Sequence, residues 1–490
     1  MKPMKLYNTL TTRVEPVTPL APPLVTLYTC GPTVYDYPHI GNWFTFIRYD
    51  LLVRTLQAAG HEVQWVMNVT DVGHLTSDAD SGQDKLEKGA QREGKTAWEV
   101  AAFYSDYFVQ ALDRLHITKP TYLPRATDHI PEQIALVQQL EAKGYTYTID
   151  DGVYYDTAKF PHYKDFARLD LDELQAGARV DHNPQKRNAS DFALWKFSPA
   201  GAKRDMEWDS PWGKGFPGWH LECSAMSMKY LGETLDIHSG GIDHIPVHHT
   251  NEIAQSEAVT GKPFARHWMH TNHVMVEGEK ISKSLGNGIT LEDIEAKGFS
   301  LEAFRLHVLE SHYRSQSKFS WEALEAAQNR LKRWQSVADQ RWQVLQPDQF
   351  LDELPSGGEA AFDKLAAAHP YTLLGQTAVD EFEQALQDDL DTPRALAAAE
   401  RLFGAIERDG MASFYLPAFT KLLQLVQQTL GIDLFTDDIT AAQKQLIAER
   451  ETARQQKDWA NSDKLRDQLK EQGIALLDTP HGAVWRRLTS

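Results

Sequence analysis

The stretch Cys30 to Asn42, CGPTVYDYPHIGN, constrains the fold more than any other part of the chain. It follows an apolar run at 24–28. It precedes residues at helical spacing, namely Phe46, Tyr49, Leu52, Val53 and Leu56, with Gly60 suited to stop the helix. Val63, Trp65, Met67 and Val69 then alternate as in a strand. Strand, turn, helix, strand predicts a βαβ unit with a parallel sheet and a right-handed crossover. Open α/β sheets bind ligands at the turn between strand and helix. A helix N-terminus there offers N–H groups and a positive dipole end to phosphate. His39, Ile40, Gly41 and Asn42 occupy that turn: Gly41 removes bulk, and His39 and Asn42 supply donors. An ordinary βα turn would read the same way, so this feature alone fixes no function.

Composition narrows the class. At 490 residues the chain predicts about three or four domains. Its 42% hydrophobic and 24% charged content is ordinary for a globular protein. No apolar run approaches the ~20 residues of a membrane span, so no membrane association is expected. The opening MKPMKLYNTL lacks the apolar core of a signal peptide. With two cysteines, the expectation is a reducing cytoplasm and no disulfide framework. A net charge of −18 argues against bulk attraction to nucleic acid. It leaves a local basic track open, because the field near a site decides.

Along the chain, helices are predicted at 96–115 and 126–145. An insertion follows at 146–209, with short strands near 152–155 and a helix near 171–176. A helix at 220–231 leads back into the sheet at 235–238, with Ser239, Gly240 and Gly241 as a second strand-to-helix turn and a helix at 247–259. A strand-like run, TNHVMVEG, precedes the basic loop KISKS; 290–311 reads as helix. Ser320 caps a long helix to about 342, and 346–358 suits a linker. Thr392 and Pro393 fit an N-cap and first helical position. The end, 438–490, reads as two helices and a β-hairpin turning at Thr479-Pro480-His481-Gly482. Over 441–490 there are nine Lys/Arg against seven Asp/Glu, slightly basic in an acidic chain.

Both thiols lie beside sheet turns, Cys30 in TCGP and Cys223 in GWHLECS, and His248 and Glu252 share a helix face at i, i+4. Those four residues would make a zinc site of two S, one N and one O ligand. The thiols are far apart in sequence, so such a site would be assembled by the fold. Two buried free thiols and a surface pair, His248 and His249, are the alternative. Lys280 and Lys283 of KISKS would likewise suit a solvated basic loop.

Taken together, these features acquire a specific meaning. CGPTVYDYPHIGN resembles the HIGH signature of class I aminoacyl-tRNA synthetases, and KISKS resembles their KMSKS loop. With GWHLECSAMS, HSGGIDHIPVHHTNEIAQSEA, ARQQKDWANSDKLRDQL and AVWRR in order, the chain is identified as a member of the cysteinyl-tRNA synthetase family over essentially its whole length. Asn42 replaces the last histidine of the signature, Ile281 replaces methionine, and Thr250 stands where glutamate is expected. The loop at 76–93 is longer than in some members.

The resemblance implies an α/β fold: a Rossmann-type parallel-sheet catalytic domain with an inserted subdomain, an all-α helical bundle and a small mixed α/β C-terminal domain. The expected limits are 1–124 and 212–270 for the catalytic halves and 125–211 for the insertion. A stem-contact region with the KISKS loop would span 271–318, the bundle 319–434 and an anticodon-binding domain 435–490. It also implies ATP with Mg²⁺, L-cysteine and tRNA(Cys) as substrates, and one Zn²⁺ per chain, in a monomer. His39, Gly41, Asn42 and Lys283 would bind ATP, with Lys280 assisting catalysis. Cys30, Cys223, His248 and Glu252 would ligate zinc. Thr70, Trp219, His238 and Asp243 would line the cysteine pocket. Trp485, Arg486 and Arg487, with Asp458 and Trp459 beside them, would meet tRNA, although Trp485 suits a small hydrophobic core equally. A related ligase joining cysteine to an amino sugar, and a non-catalytic nucleotide or RNA binder, are the alternatives.

Overall fold

The computed structural model describes residues 4–73, 85–168, 183–198, 204–276, 278–280, 288–344, 370–412, 415–479 and 482–488. The chain divides into two compact units, Met1–Lys297 with Tyr313–Phe319, and Gly298–His312 with Ser320–Ser490.

The first unit is built on an all-parallel, four-stranded sheet. Its order is Ala265–Thr271, Leu235–Gly241, Leu24–Thr29, Glu62–Met67. The opening βαβ unit is present: the helix Ile40–Ala58 joins Leu24–Thr29 to Glu62–Met67. The chain adds its second strand on one side of the first, then returns on the other. That reversal at Leu24–Thr29 is a topological switch point, where the strand ends leave a crevice. The strands are apolar because both faces are covered: Val25, Leu27, Tyr28 and Ile237 are fully buried. The helix Ile40–Ala58 is buried on more than one face, charges included. Arg48 donates to Ser317 Oγ at 2.5 Å and to the Asn272 carbonyl at 3.2 Å. Asp50 accepts from Arg54 at 2.7 Å and from Thr118 N at 2.8 Å. Buried charges persist where they are paired in this way.

Three strands of the inserted region, Thr146–Ile149, Gly152–Tyr155 and Phe192–Phe197, and Gly215–Pro217 just past its expected end form an antiparallel sheet in that order. The helix expected at 171–176 and the linker at 346–358 lie outside the described residues.

Several expectations need correction. Ser239, Gly240 and Gly241 do not turn: they end the strand Leu235–Gly241, paired with Met269, His270 and Thr271. The glycines serve close packing instead. A Cβ on Gly240 would lie 2.5 Å from His249 Cε1, and one on Gly241 2.4 Å from Asp243 Oδ1. Their partner strand, ARHWMHT at Ala265–Thr271, was hidden by its two histidines and single arginine among apolar residues. Finally, 290–311 is two helices, Leu291–Ala296 and Leu301–Leu309, broken at Gly298 with φ +83°.

The second unit is helical from Trp321–Ala338 through Pro370–Gln387, Thr392–Asp409 and Leu416–Leu425. Ser320 caps its first long helix, accepting from Ala323 N at 3.2 Å. Asp391, not Thr392, caps the helix that Pro393 opens. The helices Ala441–Gln455 and Trp459–Glu471 and the hairpin Ile474–Thr479/Gly482–Arg487 complete the unit as expected. No helix among the described residues is long and apolar enough to cross a membrane.

Candidate active site

The crevice at the strand ends holds a cavity of about 350 Å³. One wall is the start of the helix Ile40–Ala58, with His39, Gly41 and Asn42. The cavity is also lined by Cys30, Cys223 and His248. Thr70, Trp219 and Asp243 complete this part of the lining. Residues drawn from across more than 200 positions thus share one cavity.

His39 precedes the helix in an extended conformation, and Asn42 Oδ1 accepts from its N–H at 3.1 Å. Asn42 therefore fixes the turn with its oxygen and keeps its amide donors for a ligand. Ile40 N–H is occupied by the Ile289 carbonyl at 2.8 Å. Lys280 lies in the short strand Glu279–Lys280, paired with Val274–Val276. Val274 lines the cavity, and Lys280, the first residue of KISKS, pairs with the next residue, Met275. Lys283 and the rest of that loop lie outside the described residues.

The thiols are buried, and so are the histidines that might have been a surface pair: His248 is 1% and His249 0% exposed. The ligand atoms of Cys30, Cys223 and His248 lie within 4.8 Å of one another, as do those of Cys30, His238, His249 and Glu252. The expected set is thus split between two overlapping groups, bridged by His248 Nε2 and Glu252 Oε2 at 3.7 Å. His249 was missed as a member; the doubled histidine was its only signal. Its Nε2 is 3.4 Å from Cys30 Sγ, and its Nδ1 meets His270 Nε2 at 2.7 Å. Burial holds His249 and His270 well below the usual histidine range, so both are neutral. Burial pushes both cysteine thiols up.

His238 does not line the cavity. It is fully buried beneath it, in register with Tyr28 and Trp268 on the neighbouring strands, and its Nε2 is 3.1 Å from Glu252 Oε1. Trp219 packs against His248, ring centroids 4.4 Å apart.

Asp71 lies close by, its oxygens accepting from Thr127 N at 2.9 Å and Thr127 Oγ1 at 2.6 Å. Burial, aided by the nearby Glu222 charge, raises its pKa from 3.8 to about 6. The folded state therefore holds this proton more tightly than the unfolded chain, and stability falls as pH rises through that interval. At about 1.4 kcal/mol per pH unit, the loss is roughly 3 kcal/mol. Asp71→Asn should be more stable than the parent at pH 8 and show little difference near pH 4, read by denaturant midpoints. An equal gap at both values would refute this origin.

In the second unit, Trp485 is 4% exposed and packs with Ile439, Leu469 and Ile474. Its ring belongs to the core and is not presented for base stacking. Arg487 pairs with the buried Asp339 at 3.0 Å. Trp459, by contrast, is 58% exposed at the start of its helix.

A class I aminoacyl-tRNA synthetase fold is what this sheet, crevice and helical unit define. Methionyl-tRNA synthetase of Mycobacterium tuberculosis, solved with methionyl-adenylate, superposes with a TM-score of 0.59 at 15% identity, covering 83% of this chain and 92% of that one. The family model "tRNA synthetases class I (C) catalytic domain" matches residues 16–329, and "Cysteinyl-tRNA ligase anticodon binding domain" matches 436–486. The chain is 42% identical to the cysteine–tRNA ligase of Treponema denticola, over 99% of this chain and 100% of the relative. It is 44% identical to cysteine–tRNA ligase 1 of Burkholderia lata, over 98% and 96%. The chain belongs to the cysteine–tRNA ligase family.

Proposed function

We propose that the protein activates L-cysteine with ATP to cysteinyl-adenylate and passes the cysteinyl group to the terminal ribose of tRNA(Cys). Cysteine would be selected by a zinc ion held by Cys30, Cys223, His248 and Glu252. One observation carries this reading. Two buried sulfurs and an imidazole, from Cys30, Cys223 and His248, line the same cavity as a helix N-terminus, and the buried Glu252 carboxylate lies 3.7 Å from His248 Nε2. Glu252 Oε2 is buried with no hydrogen-bond partner among the described residues, as expected of an oxygen kept for a cation. Burial disfavours both thiolates, and a divalent cation would reverse that preference. When bound, zinc supplies a soft Lewis acid with affinity for a sulfur ligand and little for a neutral hydroxyl. That difference matters because shape alone separates such close analogues by roughly 10–200-fold.

The chain's own groups would do the rest. His238 and His249 back Glu252 and Cys30 and fix their orientation. Thr70, Trp219 and Asp243 enclose the amino acid. His39 and Asn42 hold the ATP phosphates at the helix N-terminus, with Mg²⁺ arriving on the nucleotide. The cysteine carboxylate then attacks the α-phosphate in line, expelling pyrophosphate. This step needs positioning and charge neutralisation more than proton transfer. Lys283, with Lys280 assisting, meets the charge on the departing phosphates.

At the other end, residues 436–486 would read the anticodon, where splayed bases stack on aromatics. Among the described residues there, Trp459 is the exposed aromatic ring. Trp459→Ala should lower kcat/KM for tRNA(Cys) by about 10-fold or more, the worth of one stacked base. Adenylate formation should be untouched, and an unaltered tRNA dependence would remove Trp459 from the interface.

The reading as a whole is tested by ATP–pyrophosphate exchange with cysteine or serine, followed by charging of tRNA(Cys). Exchange dependent on cysteine, transfer to tRNA and loss of selectivity after chelation are expected. Transfer to an amino sugar with no transfer to tRNA would overturn it.

A further inference from the structure

Beneath the cavity runs a chain of hydrogen bonds that fixes the polarity of one wall. Gly31 N–H donates to Asn68 Oδ1 at 2.9 Å. A backbone N–H can only donate, so it assigns the two ends of the Asn68 amide. Asn68 Nδ2 must then be the group that meets Thr70 Oγ1, at 3.0 Å. Thr70 Oγ1 in turn lies 2.9 Å from Glu222 Oε2. A hydroxyl has one proton and two lone pairs, and a carboxylate accepts only. Thr70 therefore gives its proton to Glu222 and one lone pair to Asn68, and a single lone pair remains.

Gly31 locks this arrangement. A Cβ there would lie 1.7 Å from the Asn68 carbonyl oxygen, so the two strand ends are in direct backbone contact. Thr70 N–H is spent on the Pro32 carbonyl at 3.0 Å, and Thr70 O on Val34 N–H at 3.2 Å. Asn68 and Thr70 line the cavity, whereas Glu222 is fully buried behind them on the helix Trp219–Leu231. The Thr70 hydroxyl is thus held as an acceptor toward the cavity, with a carboxylate directly behind it. Such a wall accepts a cationic donor and repels a carboxylate.

We propose that Glu222 is a positioning and specificity-determining residue: through Thr70 it makes this wall select a ligand that carries an ammonium group beside its thiol. This rests on the cysteine reading above and assigns the end of the amino acid opposite its sulfur. Glu222 neighbours Cys223 in sequence, so one helix turn would serve both ends of the substrate.

The test compares binding of L-cysteine and of 3-mercaptopropionate, which is cysteine without its amino group, to the zinc-loaded full-length protein by calorimetry. Glu222→Met removes the acceptor and frees the Thr70 proton. It should cut the preference for cysteine over 3-mercaptopropionate by about 10-fold to 100-fold, the worth of a hydrogen bond to a charged group. Affinity for 3-mercaptopropionate itself should hold, because the sulfur end is untouched. Thr70→Val should give the same loss, Thr70→Ser should restore the preference, and the double variant should lose no more than either single one. Glu222→Gln keeps an acceptor oxygen and should lose less than Glu222→Met. If Glu222→Met does not fold, Thr70→Val decides alone. A folded, zinc-loaded Thr70→Val with the parent preference overturns the proposal, as do additive losses in the double variant or equal losses in the two Glu222 variants. A parent protein that binds neither thiol would instead sink the cysteine reading, and this assignment with it.

Discussion

Cys223→Ser is expected to abolish stoichiometric zinc binding and to weaken cysteine binding at least about 100-fold, while ATP binding stays near that of the parent. Cys223 is 1% exposed, so the exchange leaves the volume nearly unchanged and the fold should persist. The hydroxyl that replaces the sulfur does not ionise in this burial and is a harder, weaker donor to zinc. Loss of a partner that merely orients a ligand already costs 10–100-fold in affinity, so loss of a ligand should cost more. A hundredfold corresponds to about 2.7 kcal/mol. Elemental analysis of the purified variant gives the metal content, and parallel titrations with cysteine and ATP give the split. Zinc at the parent level would end the ligand assignment, whatever the activity.

The second large effect belongs to Lys283. Lys283→Ala should lower the rate of adenylate formation by about 10²–10³-fold, the range seen when one preorganised charge-stabilising group is removed. Cysteine affinity should change little, and KM for ATP less than the rate, because the lysine would act on charge that develops only in the transition state. The hairpin Val274–Val276/Glu279–Lys280 leads into the KISKS loop, and its Val274 lines the same cavity as His39. A loop that closes after ATP binds would bring Lys283 in. Rapid quenching of a single turnover isolates this step. A parent-like rate there would remove Lys283 from the chemistry.

The parts of the site that could be read in the sequence are those written in consecutive residues. The turn at His39–Asn42 announces itself by an apolar strand before it and a helical repeat after it. His248 and Glu252 are one helical turn apart, and the repeat alone puts them on a common face. The residues that escaped work by pairing across long gaps: His249 with Cys30, 219 positions away, and Glu222 with Thr70, 152 away. Nothing local marks a glutamate as the partner of a distant threonine. Gly240 and Gly241 misled for a related reason. Paired glycines usually signal a turn, and only the histidine rings against Gly240 and the Asp243 carboxylate against Gly241 explain why side chains are absent there. In AVWRR the period of two separates Trp485 from Arg486. It cannot say which face meets a core, and the small cluster of Ile439, Leu469 and Ile474 settles that.

The bare backbone at Gly240 bears on attempts to change what this cavity takes. Its two near neighbours are rigid imidazoles, so no larger residue can be introduced at that point without displacing His244 and His249 together. Replacing Gly240 alone therefore cannot reshape the sheet end beside Gly241, which does line the cavity. A thiol amino acid longer by one methylene would have to find its room sideways, at the half-buried indole of Trp219. Redesign for homologues of cysteine should begin with that indole and leave the sheet end alone.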